Sequence, residues 1–261
     1  MDRDVVTISG DEFQLTTNGS DPSRLDSVVS ELQSMARTTY GQYCGLSRAS
    51  EMIGERWGLL ILRDLLVDPK SAAELHSGLP RIPSRLLAMR LKELDYSGVI
   101  RPAESTDPNG GQRYELTAYG RVLEDVLLAL GRWGAATLAM PRPEDVVTED
   151  SMMVALQATF QEHVALDVQL SFELRVAEVV IHGEVDRGRL VVGRGPLPGA
   201  DVVINPGPLF RDLLTREVSA AAALASDQTS ITGDPAVFER FVDLFALPAL
   251  PAPVPAHAVT R

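Results

Sequence analysis

The sequence predicts two folded domains in series, a mainly α-helical one followed by an α+β one. A chain of 261 residues that is 45% hydrophobic can bury two cores of ordinary size. Apolar residues recur at helical spacing up to about residue 138, whereas after residue 147 short strand-like runs alternate with helical ones. Between the two patterns, Pro141-Arg142-Pro143 cannot continue a helix and therefore marks the boundary.

The ends of the chain are more polar or proline-rich than the two domains. We expect a mobile N-terminal extension over residues 1–37, a first domain over 38–140, a second domain over 147–247 and a flexible tail over 248–261. No apolar run approaches the roughly 18 residues of a membrane span, and the first residues lack the features of a signal peptide. We therefore expect a cytoplasmic protein without a membrane partner.

Cysteine and histidine usage argues against a metal or disulfide framework. Cys44 is the one cysteine of the chain, which excludes an internal disulfide and any zinc site built from several thiolates. The four histidines lack ligand spacing. We expect neither a metal nor a cofactor.

The first domain has a recognisable order of elements. Residues 46–66 predict two helices with a break near Gly54, and Ser71 with Glu74 forms a capping box for a short helix. After the turn at 77–80 we expect a helix over 84–96, strands over 99–105 and 113–116, and a last helix over 117–138. This order is that of the winged helix-turn-helix, a DNA-binding fold.

Charge supports one DNA-facing surface. The net charge of −12 divides into −5 for residues 1–34, +1 for residues 35–140 and −8 for residues 141–261. Phosphate contacts require Lys or Arg, so the acidic flanks should face away from DNA. On the helix over 84–96, leucines occupy one face, and we expect Arg85, Arg90 and Lys92 to lie off it. The predicted DNA-binding residues are Ser71, Arg81, Ser84, Arg85, Met89, Arg90, Lys92, Arg101, Asn109, Gly110 and Arg113.

The first domain resembles the HxlR family of bacterial transcription regulators. The resemblance rests on the order and spacing of the stretches Tyr43-Cys44, Ile53-Gly54-Glu55-Arg56-Trp57, Leu60-Ile61-Leu62-Arg63-Asp64-Leu65, Arg90-Leu91-Lys92-Glu93-Leu94 and Tyr114-Glu115-Leu116-Thr117. It implies a homodimer, formed through the first and last helices, that binds a palindromic operator in double-stranded DNA. Cys44 matches a cysteine that senses oxidants in some members, which makes it a candidate redox sensor; a small structural residue is the alternative.

One part of the first domain departs from that family. A Ser-Pro pair usually opens the recognition helix, and Thr-Gln precedes its Arg. Here Pro83-Ser84 and Ala88-Met89 stand at these places. The DNA sequence preference of the family is therefore not carried over to this chain.

The second domain resembles the sterol-carrier-protein-like fold over residues 166–247. Its pattern predicts helices near 150–165, 206–215, 217–225 and 234–246, and strands near 167–175, 177–185, 189–193, 201–204 and 229–232. The resemblance implies an apolar cavity that takes a hydrophobic small molecule, and a pocketless spacer or dimerisation domain is the alternative. The candidate pocket residues are Phe172, Leu174, Val203, Leu213, Phe238, Phe241 and Phe245.

Together these patterns predict a DNA-binding transcriptional regulator, namely a repressor that responds to a hydrophobic ligand. The alternative is a lipid or hydrophobic small-molecule binding protein that uses the winged-helix module for dimerisation. We expect no enzyme, since the chain shows no nucleophile–base pair, metal site or phosphate loop.

Overall fold

A computed structural model describes residues 6–9, 12–15, 39–106, 111–135, 138 and 145–248. It divides into two compact units, residues 1–55 and residues 56–261. The predicted tail, apart from residue 248, and most of the predicted N-terminal extension lie outside the described residues.

The first unit contains a hairpin that the sequence pattern does not predict. Strands β1 (Val6–Ser9) and β2 (Glu12–Leu15) pair antiparallel, with Val6 opposite Leu15. The same unit holds helix α1 (Gly45–Ile53), which confirms the first predicted helix and ends beside Gly54. Glu51 of this helix accepts hydrogen bonds from the Thr39 hydroxyl and from the backbone N–H of Tyr40.

The second unit begins with the elements of a winged helix-turn-helix, which we call the N-terminal lobe (residues 56–138). They are α2 (Gly58–Val67), β3 (Lys70–Ser71), α3 (Ala72–Gly78), α4 (Ser84–Tyr96), β4 (Ile100–Thr106), β5 (Gln112–Leu116), α5 (Ala118–Arg121) and α6 (Glu124–Ala135). The three strands form an antiparallel sheet in the order β3-β5-β4. The predicted helix-turn-helix followed by a hairpin is therefore confirmed.

Local sequence explains where these helices begin and end. The Ser71 hydroxyl accepts from the Glu74 N–H at 3.3 Å while the Glu74 carboxylate accepts from the Ser71 N–H at 2.7 Å, which confirms the capping box. Gly98, at a φ of +68°, ends α4 in a left-handed conformation that suits glycine. Gly120 is required for a close approach, because a Cβ there would lie 2.0 Å from the Val99 carbonyl oxygen.

The rest of the second unit is an α+β arrangement, which we call the C-terminal lobe (residues 145–248). Its elements are α7 (Glu149–Thr159), β6 (Gln169–Val176), β7 (Val179–Asp186), β8 (Arg189–Arg194), β9 (Val202–Asn205), α8 (Phe210–Thr215), α9 (Ala220–Leu224), β10 (Ser230–Gly233) and α10 (Pro235–Leu244). The strand order is β10-β9-β6-β7-β8. Neighbouring strands are antiparallel except β6 and β9, which are parallel.

The core of the C-terminal lobe lies between one face of this sheet and its helices. Phe172 of β6 and Ile181 of β7 share a buried cluster with Leu156 of α7 and with Phe238 and Phe241 of α10. Strand periodicity explains this arrangement, since alternate residues of β6 and β7 point to the same face. Among the described helices, none combines the length and apolarity that crossing a bilayer requires.

Candidate nucleic-acid interface

Helix α4 carries the surface that best suits DNA. Leu87, Leu91 and Leu94 are buried against the lobe, so the opposite side of the helix faces solvent. The exposed residues on and just before the helix are Arg81, Pro83, Ser84, Arg85, Ala88, Met89, Lys92, Asp95 and Tyr96. Three of these nine carry a positive charge and one carries a negative charge, and an α-helix of this kind fits the major groove of B-DNA.

Arg90 does not belong to this exposed surface, contrary to the expectation that it lies off the packed face. Its side chain is buried, with 8% of the residue exposed. The guanidinium donates from Nε to the Arg56 carbonyl oxygen at 3.1 Å and pairs with Glu93 on its own helix. These partners hold the guanidinium inside the lobe, and the spacing of residues along the helix does not reveal them.

The Ser71 hydroxyl is likewise engaged within the protein. Only 3% of this residue is exposed, and its oxygen caps α3 through the Glu74 N–H. Ser71 therefore acts first as a structural residue at the start of the helix-turn-helix.

The hairpin arginines differ in accessibility. Arg101 of β4 is largely exposed and pairs with Glu115 directly opposite on β5, with Nη2 to Oε1 at 2.7 Å. Arg113 of β5 is less exposed; its Nε donates to the Pro69 carbonyl oxygen at 3.1 Å, and Nη2 lies 3.3 Å from Glu74 Oε1. Arg113 thus ties the hairpin to the helix-turn-helix, and the predicted contacts Asn109 and Gly110 lie outside the described residues.

A buried carboxylate, Asp64 of α2, lies behind the helix-turn-helix. Its Oδ1 accepts from Arg63 Nε at 2.8 Å, whereas Oδ2 has no hydrogen-bond partner among the described residues. Burial raises the pKa of Asp64, and the Arg63 charge opposes this shift only in part. A Cβ on Gly78 would lie 3.2 Å from Oδ2, so the carboxylate also limits what can replace this glycine at the end of α3.

We expect Asp64→Asn to increase the free energy of unfolding by roughly 1 kcal/mol at pH 7, because it removes a buried charge that has one unpaired oxygen. A carboxyl whose pKa rises on folding stabilises the folded state less as pH rises above its unfolded pKa. The difference in the free energy of unfolding between Asp64→Asn and wild type should therefore vanish as pH falls toward about 4. Urea unfolding at pH 7 and at about pH 4 measures this difference, with the exposed Asp227→Asn as control. A variant less stable than wild type at pH 7 would contradict the prediction.

Cys44 is exposed and directly precedes α1. The backbone amides of Ser47 and Leu46 hold the pKa of its thiol below the ordinary value. A lowered pKa increases the thiolate fraction that oxidants attack. The redox role of Cys44 stays a prediction.

The predicted ligand pocket of the C-terminal lobe coincides with a packed interior. The Phe172 ring centroid lies 4.9 Å from that of Phe241 and 5.6 Å from that of Phe245, both edge-on. Leu174, Leu213 and Phe238 are buried as well, whereas Val203 is half-buried on β9 between the buried Val202 and Ile204. An apolar ligand at these residues would have to displace aromatic side chains.

Two clefts on the described surface lie elsewhere. The larger, of about 420 Å³, is lined by Asp68, Lys70, Glu74, Ser77, Gly78, Thr148, Glu149, Asp150 and Arg194. The second, of about 330 Å³, is lined by Arg216, Val218, Ser219, Ala220, Ala221, Glu239, Val242 and Asp243. Neither cleft is lined by any of the seven predicted pocket residues.

Helix α6 presents an exposed apolar stripe. The stripe begins two residues before the helix, and its members recur every three or four residues and are 43–75% exposed: Val122, Val126, Leu130 and Trp133. Leu127, one residue after Val126 and so about a quarter of a turn away around the helix, is buried. Such an apolar surface on a helix marks a protein contact when it forms a contiguous patch.

Comparison with known proteins places the N-terminal lobe in a family. The family model described as HxlR-like helix-turn-helix matches residues 52–141. YtcD of Bacillus subtilis, an uncharacterized HTH-type transcriptional regulator, is 38% identical over 85 residues, which are 33% of this chain and 68% of that protein. YkvN of the same organism, another HTH-type regulator, is 32% identical over 91 residues, which are 35% of this chain and 77% of that protein.

A crystal structure described as a putative HTH-type transcriptional regulator ytcD is 35% identical, with a TM-score of 0.33, and the match covers 35% of this chain and 94% of that one. The family match ends at residue 141, so the C-terminal lobe lies outside it. Because YtcD and YkvN match at this identity and over this share of their own length, the chain belongs to the HxlR-like helix-turn-helix family.

Proposed function

We propose that the chain is a transcriptional regulator that binds double-stranded DNA through α4. The single observation that carries this proposal is the division of α4 into a buried leucine face and an exposed face with Arg85 and Lys92. Family membership and the HTH-type regulators among its relatives support it. Of the eleven predicted DNA contacts, we retain the exposed Arg81, Ser84, Arg85, Met89, Lys92 and Arg101. Asn109 and Gly110, which lie outside the described residues, stay predictions.

The active form would be a homodimer on a palindromic operator. The apolar stripe on α6 is the observation that supports self-association, because a two-fold dimer buries the same surface of both copies. A dimer places two copies of α4 on one face, so that each enters a half-site about one helical turn from the other.

The C-terminal lobe would have the sterol-carrier-protein-like fold and would make the regulator, a repressor, responsive to a ligand. Its α+β composition, with helices packed on one face of the sheet, is compatible with that fold. The packed phenylalanines disfavour the alternative of a lipid carrier with a ready apolar cavity. We place the DNA-binding function first for this reason.

The test compares Arg85→Ala with Arg189→Ala, an exposed arginine on β8 of the C-terminal lobe. The probe is a duplex that the full-length protein selects from a random-sequence pool at low salt. We expect Arg85→Ala to weaken binding by about 1–3 kcal/mol if Arg85 reads a base, or to reduce the salt slope by about one if it contacts a phosphate. Arg189→Ala should match wild type. If no duplex is enriched, or if both variants bind like wild type, the proposal fails.

A further inference from the structure

Ion pairs join the two lobes next to the helix-turn-helix. Lys70 Nζ lies 2.5 Å from Asp68 Oδ1 and 3.0 Å from Asp150 Oδ2. Arg194, at the end of β8, lies with Nη1 2.8 Å from Asp68 Oδ2 and also pairs with Asp150. Glu149 makes a longer contact, 3.4 Å from Arg194 Nε. We call Asp68, Lys70, Asp150 and Arg194 the junction network, and Glu149 lies at its edge.

Burial makes the members of the junction network, and Glu149 at its edge, unequal. The Lys70 and Asp150 side chains are only 7% and 12% exposed, whereas those of Glu149 and Arg194 are 43% and 35% exposed. Exposed ion pairs contribute little to stability, but removing one partner from a buried pair leaves an uncompensated charge. The Lys70–Asp150 contact should therefore matter most.

The network lies at the start of the DNA-binding element. Asp68 directly follows α2, and Lys70 belongs to β3, after which α3 begins at once. Burial acts to raise the pKa of Asp68, but hydrogen bonds from Arg194 and Lys70 outweigh it and hold that pKa low. The charges of Asp150 and Arg194 thus fix the segment that leads into α3, and α3 leads into α4.

The ion pairs lie at the cleft of about 420 Å³. The lining of this cleft includes Glu74, Ser77 and Gly78 of α3, and Thr148 and Glu149 at the start of α7. Lys70, Asp150 and Arg194 line the same cleft, so these ion pairs lie where α3 faces the C-terminal lobe.

We infer that Asp150 and Arg194 are positioning residues, through which the C-terminal lobe holds α3, and with it α4, in the orientation that binds DNA. This inference rests on the proposed DNA-binding function. It means that the C-terminal lobe, which lies outside the family match, contributes directly to DNA affinity and does so without an apolar ligand.

The decisive variant is Asp150→Asn, because two explanations predict opposite results for it. If the network acts only through net charge, removing an acidic group should strengthen binding to DNA. If Asp150 positions α3, its loss should weaken binding, and we expect about five-fold. Glu149→Gln is the matched control: it removes the same charge from the same first helical turn but only a long, exposed contact, and it should change affinity less than two-fold.

Affinity for the selected duplex is measured below the melting temperature of every variant, so that loss of folding does not contribute. Asp150→Asn that binds as tightly as wild type, or more tightly, overturns the inference. Hydrogen exchange of residues 68–79 without DNA tests it separately: we expect faster exchange in Asp150→Asn than in Glu149→Gln. Equal exchange in both variants overturns the inference, and this measurement does not depend on DNA binding. A chain that binds no DNA would instead refute the proposed function.

Discussion

Trp133→Glu should convert a dimeric protein into a monomer. The substitution places a charge at the C-terminal end of the exposed apolar stripe on α6, where a second copy would bury it without a partner. Since two linked half-sites can exceed the affinity of one by roughly 10²–10⁴-fold, operator binding should weaken by a similar factor. Light scattering coupled to size exclusion measures the mass, and titration of the selected duplex measures the affinity.

The control for this experiment is Val191→Glu, another exposed apolar position, on β8 of the C-terminal lobe. It should leave both the mass and the affinity unchanged. A wild-type protein that is monomeric at micromolar concentration would contradict the proposed dimer, as would a Trp133→Glu protein with the wild-type mass.

Phe172→Ala should destabilise the C-terminal lobe by about 3–5 kcal/mol, the cost of removing a large ring from a packed core. Phe172 is fully buried and touches both Phe241 and Phe245 edge-on. A further constraint comes from β7, where a Cβ on Gly183 would lie 2.3 Å from the Phe172 ring. Urea unfolding followed by far-ultraviolet circular dichroism measures the loss.

The same variant tests the hydrophobic pocket that the sequence suggests. Phe172→Leu, which keeps most of the apolar volume, should cost clearly less than Phe172→Ala. A cost below about 1 kcal/mol for Phe172→Ala would mean that the surroundings are not tightly packed. That outcome would favour a cavity able to hold an apolar ligand over the filled core described above.

The order of helices and strands could be predicted from sequence because it depends on local signals. Helix α4 spans Ser84–Tyr96 as predicted, since Pro83 precedes it and Gly98 follows it closely. The strands and helices of the C-terminal lobe fall within about four residues of the predicted ranges for the same reason, except that α7 ends at Thr159, six residues before the predicted end at 165. Two features were too small to predict, the two-residue strand β3 and the break between α5 and α6, where Leu123 N–H donates to the Gly120 carbonyl.

The roles of charged side chains could not be predicted, because their partners are distant in sequence. Arg90 donates to a carbonyl 34 residues away and Arg113 to one 44 residues away. Arg121 of α5 and Arg132 of α6 likewise donate to backbone carbonyls, of Leu66 and Ala158. An arginine count therefore overestimates the DNA-facing charge, and only the fold separates exposed guanidinium groups from those that bind helix ends.

The position of β6 in its sheet has a consequence for how the chain folds during synthesis. As the first strand of the C-terminal lobe, it is also the central one, and its parallel partner β9 ends only at Asn205. At roughly 5–20 residues per second, a ribosome needs seconds to make the intervening residues, so one edge of β6 stays open meanwhile. An open edge can pair with other chains. The nascent chain is thus exposed to aggregation in this interval, before β9 pairs with β6 and before Phe245, near the end of the lobe, joins the core.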